Sequence, residues 1–178
     1  MAFGNSLTAG FGVAPAESYP ALLAARIEAE GYLYRVVNAG VSGDTTAGGL
    51  RRVDWALRLD PDIVILELGA NDGLRGQDLA KVRANLEGLV QRFQQAGARV
   101  LIAGMRLPPN YGKRYAGDFE RMYRTVAQKT GAVLIPFFLD GVGGNPRLNQ
   151  ADGIHPTGEG YRLIVERLWP HLRPLLER

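Results

Sequence analysis

Short apolar runs alternate with stretches of helical period along the whole chain. Tyr34–Ala39 (YRVVNA), Ile63–Leu68 (IVILEL), Val100–Met105 (VLIAGM) and Val133–Phe138 (VLIPFF) are β-branched-rich and nearly continuous in hydrophobicity, as strands covered on both faces are. Between the second and third of these runs, Leu79, Val82, Leu86, Leu89, Val90 and Phe93 recur at helical spacing, and Gly97 follows as a stop. A further helix is expected to start near Tyr19 and Pro20, turn Leu23 and Ile27 inward and stop at Gly31. Others are expected over 47–59, 118–130 and 158–169, the last broken at Pro170. Strand followed by helix, repeated, predicts a parallel sheet between helical layers, because each right-handed crossover lays its helix on a sheet face. The fold class is therefore α/β.

In an open sheet of this kind, ligands sit beyond the carboxyl ends of the strands. Four segments fall there: Gly4–Gly10, Gly40–Thr46, Gly69–Gly73 and the long loop Leu139–His155. The first strand is short, with only Met1, Ala2 and Phe3 before Gly4, which carries the expectation that upstream residues, a targeting segment among them, were trimmed.

Composition narrows the chemistry. The 178 residues, 46% hydrophobic and 22% charged, suit one compact domain over 1–178 with a real core. With no Cys and two His, no disulfide framework, Cys/His zinc site or catalytic thiol can be built from this chain. The net charge of +3 comes from basic residues scattered among acids, without the basic stripe and interleaved aromatics of a nucleic-acid surface. No apolar run approaches the roughly 18 residues of a membrane span, and no charged-then-apolar signal segment opens the chain. Nucleic-acid partners and stable membrane insertion are not expected.

A nucleophilic hydrolase needs a hydroxyl or thiol, a base, and an acid group holding the base in one tautomer. His155 lies in Asp152-Gly153-Ile154-His155-Pro156, a spacing that can bring the carboxylate to Nδ1 and leave Nε2 facing the cleft. His171, in Trp169-Pro170-His171-Leu172, has no nearby acid and is the poorer base. Ser6, in Gly4-Asn5-Ser6-Leu7, sits at the end of the first strand, where it reads either as a nucleophile or as a turn serine bonding its own backbone. Ser18 reads as a helix cap or its neighbour, and Ser42, in a strand-end loop, fits either role. Oxyanion donors could come from the Gly43 amide and the Asn71 side chain, although a Gly-rich turn and an Asn/Asp turn are the plainer readings of each alone.

Together these residues resemble the GDSL-type SGNH hydrolases, and within them the bacterial thioesterase, lysophospholipase and arylesterase branch. Four blocks match in order: Gly4-Asn5-Ser6-Leu7, Val41-Ser42-Gly43-Asp44-Thr45, Gly69-Ala70-Asn71-Asp72 and Asp152-Gly153-Ile154-His155-Pro156. The similarity extends through Arg106-Leu107-Pro108-Pro109-Asn110-Tyr111-Gly112. The resemblance implies a three-layer, flavodoxin-like α/β/α fold with no metal and no organic cofactor. It implies Ser6 as nucleophile, His155 as general base and acid, Asp152 as its orienting group, and an oxyanion hole from Ser6, Gly43 and Asn71. It also implies that Leu74, Arg75, Arg106, Pro108 and Tyr111 contact substrate. A serine esterase acting as a monomer on a small acyl ester, with acyl thioesters and lysophospholipids as further substrates, periplasmic or secreted, is the expectation. A carbohydrate O-acetyl esterase and a non-catalytic acyl-binding module are the alternatives.

The chain departs from the family's pattern at Asn5, where Asp is usual. Asn is nearly isosteric but removes a charge beside Ser6 and replaces an acceptor by a donor. Other folds fit less well. An α/β-hydrolase elbow would need Gly where Thr8 stands, and a dinucleotide fingerprint from Gly10-Phe11-Gly12 fails at Pro15.

Overall fold

The computed structural model describes residues 1–176. Its centre is a parallel sheet of β1 (Ala2–Gly4), β2 (Asn38–Gly40), β3 (Ile63–Glu67), β4 (Arg99–Ala103) and β5 (Val133–Ile135), in the order β2-β1-β3-β4-β5. Between them run α1 (Ser6–Ala9), α2 (Tyr19–Ala29), α3 (Thr46–Leu57), α4 (Ala70–Leu74), α5 (Leu79–Gln95) and α6 (Lys113–Thr130), and α7 (Gly158–Leu172) follows β5. α3 packs on α5 and α5 on α6, while α2 packs on α7, giving an α/β/α sandwich.

The period-2 alternation of strand side chains divides the core. Phe3 meets Phe93 of α5 edge to face, with ring centroids 5.3 Å apart. On the other face Tyr19 of α2 meets Phe138 at 5.2 Å and lies 6.5 Å from Tyr161 of α7. With this order the chain leaves β1 for β2 on one side and then crosses to β3 on the other, so a crevice opens at the carboxyl ends of β1 and β3.

Several predicted boundaries differ. The run 34–39 pairs only from Asn38, because β1 offers just Ala2, Phe3 and Gly4 to an edge partner. The run 133–138 stops pairing at Ile135, since Pro136 has no N–H to donate. The helix expected from 118 begins at Lys113. The break expected at Pro170 does not occur, and α7 continues to Leu172. Pro170 lies in the last turn, where its ring forfeits one backbone bond, while buried Leu168, Trp169 and Leu172 hold the turn against the core.

Candidate active site

Ser6 opens α1 directly after β1, so its N–H is the first of the helix and has no intrahelical acceptor. Gly4 allows the tight approach beneath it. A Cβ there would collide with Thr8 Oγ1 and lie 2.6 Å from Glu67 Oε2. Asn5 caps α1, its Oδ1 accepting from the Leu7 N–H at 2.9 Å.

The loop after β5 returns His155 to this point from 149 residues away. His155 Nε2 lies 2.8 Å from Ser6 Oγ, and Nδ1 lies 2.6 Å from Asp152 Oδ2. An ionised Asp152 accepts the Nδ1 proton, which leaves Nε2 free to accept from the serine hydroxyl. Partial burial raises the Asp152 carboxyl, but hydrogen bonds from the imidazole and from the Ile154 and His155 amides outweigh it and hold the group at about 2. Both amide bonds, to Oδ1, are 3.0 Å long. Gln150 fastens this loop to the nucleophile's side: its N–H donates to His155 O at 2.7 Å, and its Nε2 donates to Phe11 O at 2.8 Å and Pro156 O at 2.9 Å. The Phe11 ring lies against the imidazole, with centroids 4.8 Å apart.

Two further strand ends complete the rim. Asn71 sits in the short helix α4 rather than in a turn, after Gly69 at φ 108°, a conformation L side chains rarely adopt. Its Nδ2 donates one proton to Asp44 O at 2.9 Å, so the second proton of the amide is left for another acceptor. The loop carrying Gly43 is held at both sides. Asp72 Oδ2 and Oδ1 accept from Thr46 N at 2.9 Å and Thr46 Oγ1 at 2.7 Å, and Arg52 Nε donates to Asp44 Oδ2 at 2.7 Å.

Ser6, Gly43, Asn71 and His155 line one cleft of about 590 Å³. Its apolar wall includes Leu74, Met105, Leu107, Pro108, Phe137 and Leu139. Of the five expected substrate contacts, Leu74, Arg106 and Pro108 line the cleft. Arg75 and Tyr111 do not. Arg75 Nη2 donates to Gly43 O at 3.1 Å and the Tyr111 hydroxyl donates to Leu74 O at 2.9 Å, so both brace the rim by reaching the backbone of neighbouring loops. Ser18 is buried, its hydroxyl donating to Pro15 O at 2.8 Å, while Ser42 lies on the cleft wall. His171 lies near the end of α7 and does not line the cleft. Among the described residues no group of three or more His, Asp or Glu side chains is arranged to hold a metal ion, and no helix is long and apolar enough to cross a membrane.

Sequence reasoning missed the polar supports Glu67, Arg52, Asp44, Asp72 and Gln150. Asp44 and Asp72 stand inside the matching blocks, and Glu67 had a signal of its own, a carboxylate inside the run IVILEL.

Known proteins share this arrangement of chain. A sequence model of the GDSL-like lipase/acylhydrolase family matches residues 2–163. The chain is 47% identical to "Esterase TesA" of Pseudomonas aeruginosa over 177 residues, covering 99% of this chain and 88% of that protein. It is 36% identical over 177 residues to "Thioesterase 1/protease 1/lysophospholipase L1" of Escherichia coli K12, covering 99% and 84%. A crystal structure of TesA superposes with a TM-score of 0.96 at 47% identity, covering 98% of each chain. The chain belongs to the GDSL-like lipase/acylhydrolase family.

Proposed function

We propose that this chain is a serine hydrolase that cleaves small carboxylic esters, acyl thioesters included, through an acyl-enzyme on Ser6. The observation that carries the reading is the unbroken chain of contacts from Ser6 Oγ to His155 Nε2 at 2.8 Å and from Nδ1 to Asp152 at 2.6 Å, opening on an apolar cleft. The similar proteins carry esterase, thioesterase and lysophospholipase among their names, and the site has the parts for ester hydrolysis.

Ser6 Oγ attacks the acyl carbon while its proton passes to His155 Nε2. The tetrahedral oxyanion is met by the Ser6 and Gly43 N–H groups and the free proton of the Asn71 amide. The intermediate collapses, and the departing alcohol or thiol takes the proton from His155. Water then attacks the acyl-enzyme, gives its proton to the same nitrogen, and releases the acid as Ser6 recovers a proton. Asp152 holds the imidazole in the tautomer that both steps need. The base acts in its neutral form.

The apolar wall favours an acyl chain longer than acetyl and supports this reading over a sugar O-acetyl esterase. A base aligned on a hydroxyl has no use in a protein that only binds acyl groups. All parts of the site come from one chain, which supports a working monomer. Periplasmic or secreted placement belongs to the same reading and rests on the family resemblance alone.

The test is turnover of p-nitrophenyl esters across acyl lengths, with Ser6→Ala alongside and fluorophosphonate labelling read by mass spectrometry. Turnover that disappears in Ser6→Ala, with a label on Ser6 and an optimum beyond acetyl, is expected. A chain that neither labels at Ser6 nor turns over any ester refutes the reading. An acetyl optimum on acetylated sugars moves it to the O-acetyl esterase.

A further inference from the structure

Glu67 ends β3, a strand buried at every position, and its carboxylate is inaccessible to solvent. The reaction steps make no use of it. Its recorded partners are all neutral donors: Oε2 accepts from the Asn5 N–H at 3.1 Å and from Thr8 Oγ1 at 2.9 Å, and Oε1 accepts from Asn5 Nδ2 at 2.8 Å. Burial pushes the carboxyl up to about 7, and the hydrogen bonds from Thr8 and Asn5 pull it back only in part. A well-packed apolar residue would be the easier occupant for stability. The charge-bearing group calls for another account.

Its partners flank the nucleophile, Asn5 before Ser6 and Thr8 after it. An Asn side chain can be turned either way round, and an acceptor-only carboxylate decides which. With Nδ2 held by Glu67, Asn5 Oδ1 faces α1, where it accepts from the Leu7 N–H at 2.9 Å and lies 3.4 Å from Ser6 Oγ. We propose that Glu67 is a positioning residue for the nucleophile: through the Asn5 amide and the Thr8 hydroxyl, its buried carboxylate sets the Ser6 turn against His155. This rests on the esterase reading above.

The family's usual Asp at position 5 would put two carboxyl groups face to face here, and they would have to share a proton. Asn5 completes the pair without one. Among the described residues, the phenols that feel the Glu67 charge come from three helices. Tyr19 of α2 is reached through Thr8 Oγ1 at 3.1 Å, and Tyr123 of α6 and Tyr161 of α7 are raised by burial and then by the Glu67 charge. None supplies a countercharge.

Glu67→Gln brings a donor face to face with the donors of Asn5 or Thr8. The expected result is a kcat about 10- to 100-fold lower, KM within about twofold, and a parallel loss in the rate of fluorophosphonate labelling of Ser6. Asn5→Asp/Glu67→Gln restores complementarity with the polarity reversed: the Gln oxygen accepts from the backbone N–H and Thr8, and its NH2 donates to the new carboxylate. Labelling is expected to recover most of the loss. A Glu67→Gln protein that labels at the original rate, or a folded double variant with no recovery, overturns the positioning role.

Asn5→Asp alone, nearly isosteric, keeps the test decisive if Glu67→Gln does not fold. Its carboxyl pair must shed the shared proton as pH rises, so labelling should fall on the alkaline side where the unaltered chain stays level. A profile that superposes on that of the unaltered chain overturns the proposal. Failure here with normal labelling of the unaltered chain leaves the esterase reading standing, whereas an unaltered chain that does not label removes that reading first.

Discussion

Arg52 ties the ends of β1 and β2 to the Gly43 loop beside the site. From α3, its Nη2 donates to Gly4 O at the end of β1, its Nη1 to Ala39 O in β2, each at 2.9 Å, and its Nε to Asp44 in the Gly43 loop at 2.7 Å. The guanidinium carbon also lies 3.8 Å from the centroid of the Phe3 ring. Arg52→Met keeps an apolar chain over that ring and removes every donor. The Arg52 and Asp44 side chains are only 19% and 9% exposed, so solvent can compensate little of the loss. Breaking a buried pair from one side costs about 3–5 kcal/mol. Asp44 keeps its 3.0 Å bond from the Thr45 N–H and Gly4 O keeps the Val41 N–H, which places the expected loss near about 3 kcal/mol. For a chain of this length that is a fall in Tm of about 6–12 °C. Urea unfolding of Arg52→Met, Asp44→Asn and the double variant closes the cycle, with a coupling of about 2 kcal/mol expected. Single-variant effects that add within about 0.5 kcal/mol would refute the claim that this pair anchors the loop.

Two other outcomes follow from the same geometry. Asn71→Ala removes an oxyanion donor and should lower kcat by about 10²- to 10³-fold with little change in KM, and a rise in KM alone under steady-state assay would withdraw that role. The folded Glu67 carboxyl is raised above its usual value to about 7, so the folded state holds the proton more tightly, and the group's contribution to stability is present below the unfolded value and lost as pH rises through 7. Relative to Glu67→Gln, the chain should therefore lose on the order of 3 kcal/mol between pH 4.5 and well above 7, and parallel stability curves from urea melts would contradict the buried-charge account.

The parts of the site that lie close together in sequence were readable from it. Asp152 and His155 are three residues apart, so their contact needs only a turn. The strand and helix order followed from hydrophobic period, because a buried parallel strand and an amphipathic helix each need their apolar residues at fixed intervals. The family blocks then named Ser6, Gly43 and Asn71 as companions, although periodicity alone left Ser42 and Ser6 both open.

Tertiary structure decided what depends on distance through space. The contact from Ser6 to His155 spans 149 residues and exists because parallel strands bring their carboxyl ends to one edge. Arg75 and Tyr111 have the residue types of substrate contacts, yet their reach is used on Gly43 O and Leu74 O, a choice set by the spacing of neighbouring loops. The length of β2 was set by its partner β1, and the passage of α7 through Pro170 by the core beneath it. Glu67 shows the division most clearly. A carboxylate in an apolar strand could be seen in the sequence, but its bonds to Asn5 and Thr8 arise only when β1 and β3 pair and bring Gly4 beside Glu67. Hydrophobic pattern is a local property, whereas hydrogen-bond partners across a sheet are set by register.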